Sequence, residues 1–515
     1  MPAAEAVAAP PTVIEVKNPA TGDLLGTVPI HSAEEVRAAI ARARAAQPAW
    51  AALPVKERCR QLLAFRDVLL DEAEDLCRRI SAENGKTIVE ALFMEVILVC
   101  DLCTWYAKHA ARILKPQRVK HHLAPHRYAQ VHYLPRGVVG VIAPWNYPFS
   151  IPTGEVLTAL FAGNGVVLKP SEVTPLISVR VRELLDRAGI PKDLVQVVTG
   201  FGQTGAALID GGIDQIVFTG SVATGKRVAV ACAERLVPCT LELGGKGAAI
   251  VCADADLERA ARAIVWGGFA NSGQTCVAVE RVYAAAPIYD RLRDRIVTLA
   301  KELRQGDPGS FDIDVGAMPF EKQLEIVRGQ VEEAKRLGAR ILCGGAPPAR
   351  VGRFFAPTVI EGDLHNADIV RKETFGPILP LLRVADEEEA IHRANDIHLG
   401  LQSYVFCGSS SRGREIAKRV ESGMVMVNDV LSTFGLVEAP WGGVKQSGLG
   451  RTHGEEGLLE ACSMRYVSSK KWWMPTLNSE MWWYPYSKGR FDLGMKMLRW
   501  VCGKGVVGKI VGWFV

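Results

Sequence analysis

Short β-branched runs that recur between amphipathic stretches constrain this 515-residue chain more than any other feature. From Gly137 on, GVVGVIAPW, GNGVVLKPS, VQVVTGFG, QIVFTG, CTLELGG and AAIVC follow one another, most of them separated by a helical stretch. Such alternation predicts a parallel sheet wound with right-handed crossovers and covered on both faces. A second series runs from Arg281 to about Val430 (RVYAAA, ARILCGG, FAPTVIEG, PILPLLRV, LQSYVFC, GMVMVND) and predicts a second domain of the same kind. Residues 31–115 carry apolar positions at three and four spacing and read as helices. With 48% hydrophobic and 23% charged residues the chain is too apolar for disorder, and it is too long for one ordinary core. No solenoid-length repeat is present.

The formal net charge of +5 is unevenly placed. From Lys470 to the end eight bases stand against two acids, and six of the 11 tryptophans fall there, so a near-neutral body precedes a basic, aromatic tail. Nothing in this pattern points to nucleic acid. The start, MPAAEAVAAPPTVIEV, lacks a basic region and a long apolar run and predicts no secretory signal. The longest uncharged stretch, between Arg136 and Glu155, is broken by Pro144, Pro148 and Pro152 and cannot span a bilayer as a helix. Twelve scattered cysteines then suggest reduced thiols and a cytoplasmic location. Cys100 and Cys103 form a CxxC inside a helical-looking segment, which fits packing better than metal or redox duty. His121, His122, His126 and His132 cluster without a carboxylate or thiol at ligand spacing, so no metal site is expected.

Chemistry is suggested at strand ends. Gly200, Gly202 and Gly205 form a GxGxxG between a strand and a helix, a context suited to pyrophosphate, although no acid follows about 20 residues later. Gly220 to Gly225 makes a second turn of this type, and the plain alternative for both is a tight connection that needs glycine. Cys276 follows the polar loop Asn271-Ser-Gly-Gln-Thr; a lone cysteine is more often buried and inert. Glu242 interrupts an apolar strand just before two glycines, an expensive placement for an acid without a task. Asn146, at another strand end, could aim an amide donor at an oxyanion. Strand ends of a parallel sheet converge on one crevice, so these three residues can meet.

Seven segments carry a closer likeness: PWN (144–146), KPSE (169–172), FTGS (218–221), LELGGK (241–246), GQTC (273–276), ETFGP (373–377) and PWGGVKQSGLGRTHGEEG (440–457). In order and spacing, from about Asn18 to Val467, the chain resembles the NAD(P)-dependent aldehyde dehydrogenase superfamily of the hydrolytic, non-CoA-acylating type. The resemblance implies an α/β fold with two doubly wound parallel-sheet domains and a small β oligomerisation element. Residues 1–119 with 137–244 would bind the cofactor, 245–457 would form the catalytic domain, 120–136 with 458–471 the oligomerisation element of a homodimer or homotetramer, and 472–515 a tail beyond the usual family end. It further implies Cys276 as nucleophile, Asn146 and the Cys276 backbone N–H as oxyanion donors, and Glu242 as the base that hydrolyses a thioester. Lys169 and Glu172 would meet the adenosine ribose, with Ser171 beside them. Trp145, Gly202, Gly220, Ser221 and Gly225 would line the pyrophosphate path, Glu373 and Phe375 would hold the nicotinamide ribose and ring, and Leu243 would also bind the cofactor. The carboxylate of Glu172 favours NAD over NADP. Lys372 and Trp441 depart from the common pattern without touching a proposed role.

Val277 to Glu280 offer no cation for a carboxylated substrate, so a medium or long apolar aldehyde in a tunnel built by Phe149, Val277 and Phe434 is the expected substrate, with a succinic semialdehyde the alternative. A reading of another class, a catalytically silent structural or membrane-surface protein on the same fold, sits poorly with the retention of Cys276, Glu242, Asn146 and Glu373 together. The tail admits three readings: packing on its own or a partner subunit, peripheral contact with a membrane surface, and disorder.

Overall fold

The computed structural model describes residues 11–121, 127–473, 480 and 482–502. They form two compact units, one of residues up to Lys115 together with Tyr133–Met464, the other of Pro116–His132 together with the residues from Arg465 on. His122 and His126 of the histidine cluster, and much of the tail beyond Trp473, lie outside the described residues.

The larger unit contains both expected sheets. In the first, β1 (Val138–Ile142), β2 (Gly165–Lys169), β3 (Val195–Val197), β4 (Gln215–Gly220) and β5 (Cys239–Leu243) run parallel in the spatial order β5-β4-β1-β2-β3. A two-residue strand, Gly448–Leu449, adds antiparallel to β5. The second sheet takes β6 (Gly247–Val251), β7 (Val279–Ala285), β8 (Arg340–Cys343), β9 (Thr358–Glu361), β10 (Ile378–Val384), β11 (Gln402–Phe406) and β12 (Met424–Val427) in the order β8-β9-β10-β7-β6-β11-β12, with β8 alone antiparallel.

Alternate strand residues enter cores on opposite faces. Val139, Val141, Val166 and Leu168 pack against one layer of helices, and Val138, Val167, Ile216 and Phe218 against the other. Ala249, Val251, Val282 and Ala284 oppose Ala248, Ile250 and Tyr283 across the second sheet in the same way. Two covered faces explain why these strands read as continuous apolar runs. Truncating a fully buried residue such as Ile250 to alanine costs about 2–5 kcal/mol.

Two topological features place the site. Chain order reverses between β1 and β4, which are neighbours, so a crevice opens beyond their carboxyl ends. Only Gly244, Gly245 and Lys246 separate β5 from β6, so the edge of that crevice passes directly into the second sheet.

A three-stranded sheet of Cys462–Lys470, Arg127–Pro135 and Gln117–Arg118, in that order, supplies the smaller unit with residues 465–470, 127–132 and 117–118. The tail of this unit contains the helix Lys488–Cys502. Among the described residues no helix is long and apolar enough to cross a membrane.

Candidate active site

The loop after β1 carries Trp145 and Asn146, the end of β4 carries Thr219 and Gly220, and the end of β5 carries Glu242 and Leu243; Thr219 pairs with Glu242 and Gly220 with Leu243 across the sheet. A cavity of about 260 Å³ is lined by Trp145, Asn146, Gly220, Ser221, Glu242, Leu243, Cys276, Glu373 and Phe375. Residues spread over more than two hundred positions therefore face one space. Trp145 and Phe375 meet edge to face at 5.3 Å in its wall.

The glycines of LELGGK are explained by close approach. A Cβ on Gly244 would stand 2.5 Å from the Glu373 carboxylate, and one on Gly245 would stand 2.5 Å from the Cys276 carbonyl. Gly225 likewise brings the helix Val222–Glu234 against Leu243, where a Cβ would come within 2.4 Å. Ser221 caps that helix by accepting from Thr224 N–H, and Gly220 and Ser221 at its amino end line the cavity.

Cys276 ends a loop whose Asn271 and Ser272 both have left-handed backbone (φ 52° and 54°), a conformation that costs about 1–3 kcal/mol per residue and needs support. The support is local and dense. Asn271 N–H donates to Glu90 at 2.7 Å, its Nδ2 donates to the Asn146 carbonyl at 2.9 Å, and Ser272 donates to the Gly316 carbonyl at 3.0 Å. The Asn146 amide donates to the Gln274 carbonyl at 3.1 Å, which ties it to the segment holding Cys276.

Electrostatics set the resting state. The Cys276 thiol is pushed up to about 12, first by burial and then by Glu373 and Glu242, while backbone N–H groups of Cys276 and Val277 act in the opposite sense. Burial raises Glu242 well above the usual carboxyl range, Glu155 adds to the rise, and Arg451 opposes it. The Trp441 side chain, which lines the same cavity and is hydrogen-bonded to Glu242, also opposes the rise. Glu373 is also raised, by burial and then by Glu280, although Gly245 N–H donates to it at 3.1 Å.

A second cavity, about 410 Å³, meets the first at Cys276, Ile151, Phe434 and Trp441. Phe93, Met94, Leu98, Trp266, Val277 and Leu436 line it, and among the described residues no Lys or Arg does. Val277 and Phe434 thus stand in the expected tunnel wall. Phe149 does not: it is fully buried in the helical core beside the first sheet, because it precedes the helix Ser150–Ala162 with its side chain turned inward.

Lys169, Ser171, Glu172, Gly202 and Gly225 lie outside the lining of both cavities. Lys169 and Glu172 stand at the end of β2, 3.8 Å apart, and the aliphatic part of Lys169 packs over Gly205. In the GxGxxG, Gly200 has φ 152° and a Cβ there would strike Thr204, so that glycine serves the turn itself.

Sequence reasoning passed over several residues. Lys246 and Glu280 form a buried pair at 2.5 Å; Lys246 also reaches Thr374 at 2.6 Å, and Glu280 accepts from the N–H groups of Thr374 and Phe375. They fix the segment that presents Glu373. An acid alone in the apolar run VAVERVYAA was the available signal, the same one that marked Glu242. Glu155 and His453 also line the first cavity. Cys103 donates to the Leu62 carbonyl, and all twelve cysteines are unpaired.

Residues 7–467 match the Aldehyde dehydrogenase family. The chain belongs to this family. A Mycobacterium ulcerans protein whose name provisionally assigns it as a succinate-semialdehyde dehydrogenase [NADP(+)] is 39% identical over 453 residues, 88% of this chain and 87% of that one. A 4,4'-diapolycopene aldehyde oxidase of a Methylomonas species is 38% identical over 496 residues, 96% of this chain and 92% of its own. The NAD+ complex of an aldehyde dehydrogenase from Bacillus cereus superposes with a TM-score of 0.85 at 33% identity, covering 89% of this chain and 93% of that one. As an aldehyde dehydrogenase, the protein is an NAD(P)-linked oxidoreductase acting on aldehydes, and its two wound sheets are those of the family.

Proposed function

We propose that the protein oxidises medium or long apolar aldehydes to carboxylic acids with NAD. The observation that carries this reading is the second cavity: it is apolar, ends at Cys276, and among the described residues has no cation with which to hold a substrate carboxylate. Its outer residues Phe93, Trp266 and Leu436 are partly exposed, as a mouth for a hydrocarbon chain requires. The relative named for 4,4'-diapolycopene aldehyde supports it. The relative named for succinate semialdehyde favours the second reading.

The geometry suits nucleophilic catalysis. Cys276 adds as thiolate to the aldehyde carbon, and the Asn146 amide with the Cys276 N–H stabilises the resulting oxyanion. Ser221, Gly220 and the helix end behind them, with Trp145, Leu243, Glu373 and Phe375, would hold the pyrophosphate and nicotinamide parts of the cofactor; Lys169, Ser171, Glu172, Gly202 and Gly225 would take its outer half. When bound, NAD supplies the two-electron acceptor that converts the thiohemiacetal to a thioester. Glu242, buried and facing the same cavity as Cys276, takes a proton from the water that hydrolyses it.

The smaller unit fits assembly and membrane contact. Met464, Tyr466 and Val467 are exposed on the edge strand Cys462–Lys470, a surface suited to pairing with a second subunit in a homodimer or homotetramer. Trp472, Trp473, Trp482 and Trp483 are exposed, and the helix Lys488–Cys502 adds Lys488, Arg490, Lys496 and Arg499, a composition suited to a peripheral site on an anionic bilayer facing the cytoplasm.

The test is NADH formation by the full-length protein and a form truncated before Trp472, with straight-chain aldehydes from propanal to tetradecanal and with succinic semialdehyde, using C276A as blank. Rising kcat/KM with chain length supports the reading. Preference for the semialdehyde sinks it, and failure of the full-length protein to sediment with phosphatidylserine vesicles sinks the membrane contact.

A further inference from the structure

Lys86 and Glu95 form an ion pair at 2.6 Å in which both side chains are fully buried. Neither lines either of the two cavities that meet at Cys276. Charges removed from water in this way are costly unless their remaining valences are filled. Here Glu95 Oε1 faces the Lys86 ammonium, and one short stretch of backbone meets Glu95 Oε2 and Lys86 Nζ.

The local sequence delivers both groups inward. The helix Ala73–Asn84 ends at Gly85, whose φ of 88° and close approach to Ala317 turn the chain sharply into Lys86. Thr87 and Glu90 form a capping box, and the helix then widens into a π segment, Leu92–Val96, that carries Glu95. Such segments insert one residue per turn and change which side chain faces inward.

Lys86 Nζ donates to the carbonyl of Asn146 at 3.0 Å and stands 3.9 Å from the centre of the Tyr147 ring. Glu95 accepts from the N–H groups of Phe149 and Ser150, both at 2.8 Å. The pair therefore grips the backbone at both ends of Asn146 to Ser150. Tyr147 in turn reaches Thr275, next to Cys276, with its hydroxyl 2.8 Å from that side chain.

We propose that the Lys86–Glu95 pair is a positioning element for the oxyanion site, fixing the Asn146 backbone so that its side-chain amide stays registered against Cys276. The inference rests on the assignment of Asn146 to the oxyanion. A small displacement of such a donor is enough to lower the rate, since misplacement by about 1 Å can cost on the order of a hundredfold.

The experiment is a double-mutant cycle on the purified full-length enzyme. K86M/E95Q removes both charges and avoids stranding one; E95D, which keeps the charge and shortens its reach, is the second variant should the first fold poorly. Expected for either is a kcat lower by about tenfold or more with aldehyde KM changed by less than about threefold, and a thermal midpoint close to wild type. Combined with N146A, the same substitution then lowers kcat no further, because the donor it positions is gone. Multiplicative losses in the N146A background, or wild-type kcat in folded K86M/E95Q and E95D, overturn the positioning role. Unchanged kcat in N146A alone overturns the oxyanion assignment beneath it, which separates the two failures.

Discussion

Glu155 and Glu242 line one cavity, and the charge of Glu155 adds to burial in holding the Glu242 proton. Glu155 itself is raised to about 8 by burial and has no hydrogen-bond or ion-pair partner among the described residues. A base works only when deprotonated, so thioester hydrolysis rises with pH as Glu242 ionises. Replacing Glu155 by Gln removes one of the two influences that raise Glu242 and moves the acidic limb of the hydrolysis rate to lower pH. Single-turnover release of the acid product across pH 5–10 reads this; an unmoved limb in E155Q means the two carboxyls do not communicate.

Glu172 gives a prediction about the cofactor. Half-exposed at the end of β2, it lies 3.8 Å from Lys169. A carboxylate there accepts from ribose hydroxyls and repels a 2′-phosphate. In E172S, kcat/KM for NADP rises roughly tenfold relative to NAD, a change of about 1.4 kcal/mol, modest because solvent screens the site. An unchanged ratio places the adenosine ribose elsewhere.

Absence of a cation among the residues of the apolar cavity predicts a specificity change by addition. Leu436 is half-exposed at its mouth, where an arginine keeps its head in water. L436R raises kcat/KM for succinic semialdehyde by about tenfold and lowers it for decanal, since a charge-assisted hydrogen bond contributes about 1.5–3 kcal/mol. Steady-state kinetics on both aldehydes decide it. Equal responses would mean that chains do not pass Leu436.

Much of this site was legible because its residues sit where a parallel sheet ends. The strands β1–β12 appear in the sequence as short, mainly apolar runs because most are covered on both faces, and Asn146 and Cys276 follow such runs or a loop between them while Glu242 interrupts β5 near its end. The supporting charges were not legible in the same way. Lys86, Glu95 and Glu155 lie in or beside helices, where a charged residue reads as a solvated face unless the turn is known to point inward. For Glu95 the π segment decides the direction, and no periodicity signals it. The strand Gly448–Leu449 is too short to carry a pattern, and Phe149 was placed in the tunnel by its neighbours in sequence when its side chain belongs to the core.

Cys276 is held as a thiol in the free enzyme, first by burial and then by Glu373 and Glu242. The sign is clear: a raised thiol pKa leaves little thiolate near neutral pH, so alkylation by iodoacetamide is slow there and accelerates as pH climbs toward about 12. Glu373 acts on this only when it is ionised, and its own proton is held by burial and Glu280. At alkaline pH, E373Q therefore alkylates faster than wild type because a neighbouring negative charge is gone, while at low pH the two converge. NADH formation by the same variant falls, because the side chain that would hold the nicotinamide ribose is neutralised. Faster alkylation with slower turnover separates the electrostatic part of Glu373 from its binding part; parallel loss of both indicates that the substitution has displaced the Gly244–Gly245 backbone against Cys276 and that the thiol is not governed by this charge.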